Sequence, residues 1–398
     1  MPRILMVSAH CPFGAAYGAR LRTRHIARIL RQCGTLGMVL MPYERIESGA
    51  LRRAQDEFDL QDVFHLDQRG PRTLRARLAR EFDPYCANTE GVRLTSAAAT
   101  SLDQVVQKYD LIWFQGISIP NSLGRRSWPV SVLDIDDVPS QVFTGAAKEA
   151  DRLVSRVAAA RKAILWRRRE RVLVERFGIV SVCSDQDKAY LGGGCWIHPI
   201  PNGFEAPLAE PVRSTGGPPR IGFIGTLRYP PNHEGLRWFI RHVWPLVKSA
   251  RHDARLRLVG LDTDTGIANE GPDIDGLGYV TEVTAEIAGW AASIAPINRG
   301  GGTRVKIAEA FSRKCPLVST RLGAYGYQVE SGRDCLLADA PAEMAEACLK
   351  LMDQPAYGEQ MAERSWQRFC AEWSWDAIAP RVTGAVEACL RRAGGSAA

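Results

Sequence analysis

Short apolar runs without alternation recur along the chain and are separated by stretches of helical spacing. In the first half the runs are Ile4–His10, Asp110–Gly116, the stretch from Val130, and Ile179–Asp185. In the second half they are Arg220–Thr226, Arg255–Gly260, Ser293–Asn298, Pro316–Thr320 and Asp334–Asp339. Such runs suit parallel strands buried on both faces, because a strand with one wet face alternates apolar and polar side chains. Helical spacing occupies Ala19–Cys33, Arg152–Phe177, Glu234–Ala250, Thr303–Lys314, Ala342–Asp353 and Gly358–Glu372. Strand alternating with helix predicts an α/β protein built of doubly wound, Rossmann-like domains.

At roughly 100–200 residues per domain, 398 residues suggest two or three domains. The Pro- and Gly-rich stretch Ala206–Pro219 lacks apolar periodicity and reads as a linker, with a new strand directly after it. The economical division is an N-terminal domain over 1–205, a linker over 206–219 and a second domain from residue 220, with a cleft between them. Net charge is +7, and all of it lies before the linker. Up to Glu205 there are 29 Lys/Arg against 22 Asp/Glu; from Ala206 the count is 22 against 22. The asymmetry fits an anionic partner for the first half, whether nucleic acid, a membrane surface or an anionic substrate, and fits a solvated basic surface equally. No run approaches a membrane span, the N-terminus does not read as a signal peptide, and the scattered cysteines form no CxxC pair. A cytoplasmic protein with reduced thiols follows.

Ligands of open α/β sheets bind beyond the carboxyl ends of the strands, and three loops there have suitable residues. The first follows Ile4–His10: Gly14 and Gly18 loosen the turn, and a helix begins that carries Arg20, Arg22 and Arg24. Its amides suit an anion or polar ligand, and an ordinary flexible turn fits equally. It is neither GxGxxG nor a Walker loop, which argues against a dinucleotide enzyme and a P-loop ATPase. In the second loop Gly225 and Thr226 permit close approach to the backbone, and the Arg228 guanidinium can pair with a diphosphate or stand as a surface Arg. In the third, Gly300, Gly301 and Gly302 run into a helix that Thr303 can cap, exposing amides to an anion. Lys306 and Glu309 are neighbours on that helix. They suit phosphate and ribose hydroxyls respectively, or form an intrahelical ion pair.

With FIGTLRYPPNHEGLRWFIRHVWPLV, GLGYVTEV and SIAPINRGGGTRVKIAEAFSRKCPLVSTRLGAYGY, the second half resembles the donor-binding domain of retaining glycosyltransferases of family 4, which have the GT-B architecture. The likeness is greatest to the branch associated with bacterial exopolysaccharide systems. The first half is similar more loosely, through Gly14–Arg20, LDIDDVPS, SVCSDQDKAYL and IPNGF. The resemblance implies an enzyme that moves a sugar from a nucleotide diphosphate to a hydroxyl acceptor. It implies no cofactor and no metal, the nucleotide sugar being a co-substrate. Glu309 matches the second Glu of the family's Glu, seven residues, Glu motif, while the first Glu falls on Gly301. Arg228 matches the diphosphate-binding Arg; the Lys that usually follows is absent near Asn232 and His233, and Lys306, with Arg304 beside it, stands in for it. Tyr279 and Val280 match the loop beside the nucleobase. The resemblance also implies that the donor domain ends near residue 375 and that a helix over 376–398 crosses back onto the first domain.

The resulting donor set is Gly14, Gly225, Arg228, Tyr279, Val280, Gly301, Gly302, Thr303, Arg304, Lys306 and Glu309. Arg228 and Lys306 would carry leaving-group charge. Asp137 is the candidate facing the acceptor; Gly18, Arg20, Gln115, Asp134 and Asp136 are candidates for acceptor or sugar contact, and the aspartates suit capping or loop ion pairs as well. The acceptor is expected to be a glycan, a lipid-linked sugar or a small molecule. The basic stretch Arg161–Phe177 reads as a helix on an anionic leaflet or as a buried helix with snorkelling arginines. The first reading puts the protein peripherally on the inner face of the cytoplasmic membrane. No nucleic-acid module is recognised. A nucleotide-sugar epimerase of the same fold, or a non-catalytic binding protein, is the competing reading.

Overall fold

The computed structural model describes residues 1–14, 18–43, 45–66, 73–85, 94–123, 125, 127–214 and 216–395. The chain divides into two compact units, Met1–Pro201 with Ile378–Ala398, and Asn202–Ala377. The boundary falls before the Pro- and Gly-rich stretch, which goes with the second unit. Arg213 explains this: its guanidinium donates to the carbonyls of Trp290 (2.5 Å) and Lys314 (3.4 Å), and Ser214 N donates to Ala288 O.

The first unit holds a seven-stranded sheet in the order β3-β2-β1-β4-β5-β6-β7. Its strands are β1 (Arg3–Ser8), β2 (Thr35–Leu40), β3 (Leu60–Val63), β4 (Leu111–Gln115), β5 (Trp128–Ile135), β6 (Phe177–Val182) and β7 (Ile197–Pro199). The second unit holds a six-stranded sheet, β10-β9-β8-β11-β12-β13. These are β8 (Arg220–Ile224), β9 (Arg255–Val259), β10 (Ile274–Gly276), β11 (Ala292–Ala295), β12 (Leu317–Ser319) and β13 (Leu336–Leu337). Neighbouring strands pair in parallel throughout both sheets. The unalternated apolar runs are the buried strands: β1, β4 and β6 bury nearly every residue, as expected where helices cover both faces.

In each sheet the strand order reverses at one place, between β1 and β4 and between β8 and β11. The crevice at such a switch point is where the loops after the two strands part. The loops after β8 and β11 are the second and third glycine-bearing loops; those after β1 and β4 carry Gly14 and Gly116.

Helix ends differ from the sequence expectation in instructive ways. The helix expected over Glu234–Ala250 begins earlier, at Pro230, since proline suits the first turn, and contains a π-helical turn over Phe239–Val243. The basic Arg152–Phe177 stretch is a helix over Leu153–Glu170 and a short one over Leu173–Arg176. Arg169 and Arg176 are buried in it together with Leu165, Trp166 and Leu173, so from Leu165 onward the buried alternative holds. The terminal helix Trp375–Gly395 starts in the second unit and from Ile378 belongs to the first. There Arg392 donates to the carbonyls of Gly178 (2.6 Å) and Val174 (3.2 Å). Among the described residues no helix is long and apolar enough to cross a membrane.

Candidate functional site

Three glycines bring the strand ends of the second unit together. Gly225 (φ +150°), Gly260 (φ +133°) and Gly278 (φ +65°) follow β8, β9 and β10 with backbone angles that side chains rarely tolerate. Gly225 N donates to Val259 O at 2.9 Å, and Gly260 N donates to Gly278 O at 2.8 Å. A Cβ on Gly260 would fall on the Gly225 carbonyl, and one on Gly225 would stand 2.8 Å from Asn232 Nδ2 and 3.4 Å from Lys306 Nζ. The result is a bare backbone floor with an amide and an ammonium beside it.

Lys306 and Asn232 form one unit. Asn232, buried in the first turn of the Pro230–Trp238 helix, donates from Nδ2 to Thr226 O (2.9 Å) and accepts from Lys306 Nζ at Oδ1 (2.8 Å). Lys306 comes from the first turn of the Val305–Ser312 helix, and its Nζ lies 4.1 Å from the Phe223 ring centroid, a cation–π contact. Its acceptor is neutral. Burial therefore pulls its pKa down to about 7, with Arg304 adding to the fall and Glu309 opposing it. One turn along, burial raises the Glu309 pKa, and Arg313 and Lys306 oppose that rise. The intrahelical Lys306–Glu309 pair is not made: Glu309 Oε1 lies 3.4 Å from Arg313 Nη1 instead. Both groups hold poorly compensated charge, a state characteristic of ligand sites.

The glycine loop before that helix is closed by its own arginine. Arg304, expected toward a phosphate, is buried and donates to the carbonyls of Gly301, Gly302 (2.8 Å) and Arg299 (3.5 Å). Gly300 (φ +95°) and Gly302 (φ +75°) supply the turn that aims these carbonyls inward. Thr303 does not cap the helix, which starts at Val305 without a side-chain cap; its Oγ1 accepts from Asn202 Nδ2 at 2.7 Å. Arg228 is exposed and its Nε donates to Asp262 Oδ2 at 2.7 Å. This bond holds the Asp262 carboxyl below the usual range. Asp262 adopts φ +65° just past Gly260; nothing in its local sequence marks it as a partner of Arg228. Tyr279 is exposed and Val280 half-buried.

In the first unit two of the expected contact residues, Gln115 and Asp134, are buried, while Gly18, Arg20 and Asp136 are half-buried and Gly14 and Asp137 exposed. Asp134, at the end of β5, is fully buried: Arg22 Nε donates to Oδ2 (2.9 Å), Arg22 Nη2 to Oδ1 (2.6 Å), and Ser181 Oγ to Oδ1 (2.5 Å). Arg22 also donates to the carbonyls of Ile200 (3.0 Å) and Pro201 (3.2 Å). Burial alone would lower the Arg22 pKa, but Asp134 more than reverses this and holds it raised. Asp134 is thus a structural ion-pair residue rather than a sugar contact. Arg22, one of three alternating arginines, sits one helical turn before buried Ile26, and that spacing was the available signal for its burial. Asp136 accepts from Cys183 Sγ at 3.3 Å, and Asp137 is exposed. Gln115 Oε1 is buried, with no hydrogen-bond partner among the described residues. Gly14 (φ +115°) faces the Arg20 guanidinium closely enough that a Cβ would strike it. Gly18 opens the Gly18–Cys33 helix; residues 15–17 between the two glycines lie outside the described residues. His10 went unremarked in the sequence; burial lowers its pKa, Asp136 opposing and Arg20 adding. Among the described residues no group of three or more His, Cys, Asp or Glu is placed to hold a metal ion.

Residues 218–354 match the family of glycosyl transferases group 1. An uncharacterized 44.6 kDa protein of the cps region of Klebsiella pneumoniae is 27% identical over 128 residues, 29% of this chain and 33% of that protein. The match thus spans about a third of the length of this curated relative. HepE of Anabaena, solved in complex with UDP, superposes with a TM-score of 0.66 at 14% identity, over 97% of this chain and 99% of that one. Sucrose-phosphate synthase of Thermosynechococcus elongatus gives 0.65 at 17%, over the full length of both chains. A glycosyltransferase of Rickettsia africae gives 0.64 at 12%, over 98% and 99%. The chain has an α/β GT-B fold, and within its second unit residues 218–354 are similar to the group 1 glycosyl transferases.

Proposed function

We propose that the protein is a retaining glycosyltransferase of family 4, in the exopolysaccharide-associated branch, acting in bacterial glycan, polysaccharide or glycolipid synthesis. A nucleotide-diphosphate sugar is the donor and a hydroxyl of a glycan, lipid-linked sugar or small molecule the acceptor. The observation that carries this reading is the Lys306 ammonium, held by Asn232 over the bare floor at Gly225 with Glu309 one turn along the same helix. HepE, with the same fold, has been solved with UDP and with UDP-glucose.

In the reaction the bond between the anomeric carbon and the diphosphate breaks, and the acceptor oxygen bonds to that carbon. The diphosphate leaves with the electron pair, and the acceptor's proton passes to a leaving phosphate oxygen. Negative charge grows on the diphosphate, so a cation fixed beside it lowers the barrier. Lys306 is that cation, and Arg228 is the second once it leaves Asp262. Glu309 accepts from ribose hydroxyls. The loop at Tyr279 and Val280 borders the base. Two side-chain cations do what a metal does in other transferases, and transfer proceeds without a metal. Asp137 and Gln115 are the candidates for contact with the acceptor. The enzyme works on the cytoplasmic side of the membrane.

Incubation with UDP-glucose without acceptor tests this. Slow release of UDP is expected, with the first-formed free sugar keeping the donor's anomeric configuration. Inverted sugar would refute retention, and accumulation of an epimerised sugar nucleotide would refute transfer.

A further inference from the structure

Half of the exposed large hydrophobic side chains among the described residues, seven of fourteen, lie on two helices of the first unit. Single exposed apolar residues are ordinary, but such a concentration marks an interaction surface. Leu74, Leu78 and Phe82 stand at i, i+4 and i+8 of the Leu74–Phe82 helix, which places them on one stripe. The Leu153–Glu170 helix exposes Leu153, Val154, Val157 and Ile164. The two helices are joined by the Arg161–Glu81 ion pair, and beyond their ends Tyr85 OH donates to Glu175 Oε2 at 3.1 Å.

This surface is not a core face left open. The Leu153–Glu170 helix already has an inward side, where Leu165 and Trp166 are buried and Lys162 lies 5.0 Å from the Phe143 ring of the Pro139–Glu149 helix. Residues 151–158 are all exposed, so the apolar side chains of the first turns lie uncovered by any described residue. Apart from the buried Arg169 and Glu170, the two helices carry eight Arg/Lys against one Glu, a net +7 that equals the charge of the whole chain. A second copy docked there would set this charge against itself; an anionic sheet complements it.

We infer that this face seats the protein on an anionic bilayer. Leu153, Val154, Val157 and the Leu74–Phe82 stripe enter between the headgroups while the neighbouring arginines meet lipid phosphates, an interfacial seat rather than a span. The surface adds a lipid-borne acceptor to the transferase reading and rests on that reading only for its purpose, since the seat needs no donor.

Co-sedimentation with phosphatidylglycerol vesicles, against pure phosphatidylcholine, tests the inference. The protein is expected to partition at least about tenfold more strongly onto the anionic vesicles at low salt, and the preference to shrink as salt rises. L153S/V154S/V157S should lower partition about tenfold at any salt, and R156E/R168E should lower it about tenfold at low salt only. Each variant is checked for an unchanged thermal midpoint. Equal binding to phosphatidylcholine, or undiminished partition of both variants, overturns the inference. A dimer of the parent that L153S/V154S/V157S dissolves also overturns it, by showing that a second copy occupies the face. UDP-induced thermal stabilisation, measured alongside without lipid, reports on the donor reading alone, so either can fail independently.

Discussion

The strand ends of the two units treat charge in opposite ways. In the first unit Arg22 and Asp134 are buried together, and Ser181 and two backbone carbonyls satisfy what remains of their hydrogen-bonding capacity. In the second unit Lys306 leans on a neutral amide, Glu309 is held at 3.4 Å by a single arginine, and Arg228 rests on an exposed carboxylate. The first arrangement is closed and has little left to offer a ligand. The second is half-open: its charges are fixed in place and undercompensated, which suits an anion that arrives with its own charge. The same fold thus closes its polar strand-end residues into a clasp in one unit and leaves them undercompensated in the other.

The largest expected effect comes from opening the clasp. Arg22→Ala leaves Asp134 buried with Ser181 alone and should cost about 3–5 kcal/mol of stability, read by denaturant unfolding. UDP affinity of the folded fraction should stay unchanged. A loss of affinity at full stability would reverse the comparison.

Glu309→Ala should do the opposite. Loss of hydrogen bonds to a charged acceptor predicts about a 10- to 100-fold weaker UDP complex by calorimetry. Because burial raises the Glu309 pKa, the carboxylate destabilises the fold above its unfolded pKa, and its removal should leave stability near neutral pH equal or higher.

Asn232 is a positioning residue with a smaller effect. Asn232→Ala should weaken UDP about tenfold, the cost of one hydrogen bond to a charged group. Asn232→Asp adds a carboxylate beside Lys306, which should move the alkaline limb of the binding profile to higher pH, a change that a merely structural role would not produce. The smallest effect is expected at Asp262: Asp262→Ala releases Arg228 and should tighten UDP a few-fold at most, since exposed pairs are weak. Marked weakening would mean that Asp262 aims Arg228 at the ligand.

Much of the fold was legible because strands buried on both faces write themselves as unalternated apolar runs. Interior β2 (Thr35–Leu40) was missed although it buries five of its six residues, Gly37 interrupting the run. The edge strands β3 (Leu60–Val63), half-exposed, and β10 (Ile274–Gly276), ending in Gly, leave no apolar run. At the site, Gly225, Lys306 and Glu309 were readable from glycine placement and helical spacing. Hydrogen-bond partners were not. Arg304 reads as a phosphate cation until the loop folds its carbonyls onto it. Asp134 reads as cleft-facing until Arg22, 112 residues away, is found against it. Asp262 and Asn232 acquire roles only when the ends of β8 and β9 meet.

Lys306 is proposed as the cation held ready for the donor diphosphate, and its lowered pKa gives that role a sign. A lysine whose folded pKa is about 7 binds fewer protons than in the unfolded chain between that value and its ordinary one. The unliganded fold therefore gains stability as pH rises through that window, while affinity for a diphosphate, which needs the protonated form, falls. Calorimetric titration of UDP-glucose at about pH 6 and about pH 9, into the parent and Lys306→Met, measures this directly. The parent should bind at least about tenfold more weakly at the higher pH, and Lys306→Met weakly and equally at both. Equal affinity of the parent at both pH values, or Lys306→Met binding as tightly as the parent, would contradict that role.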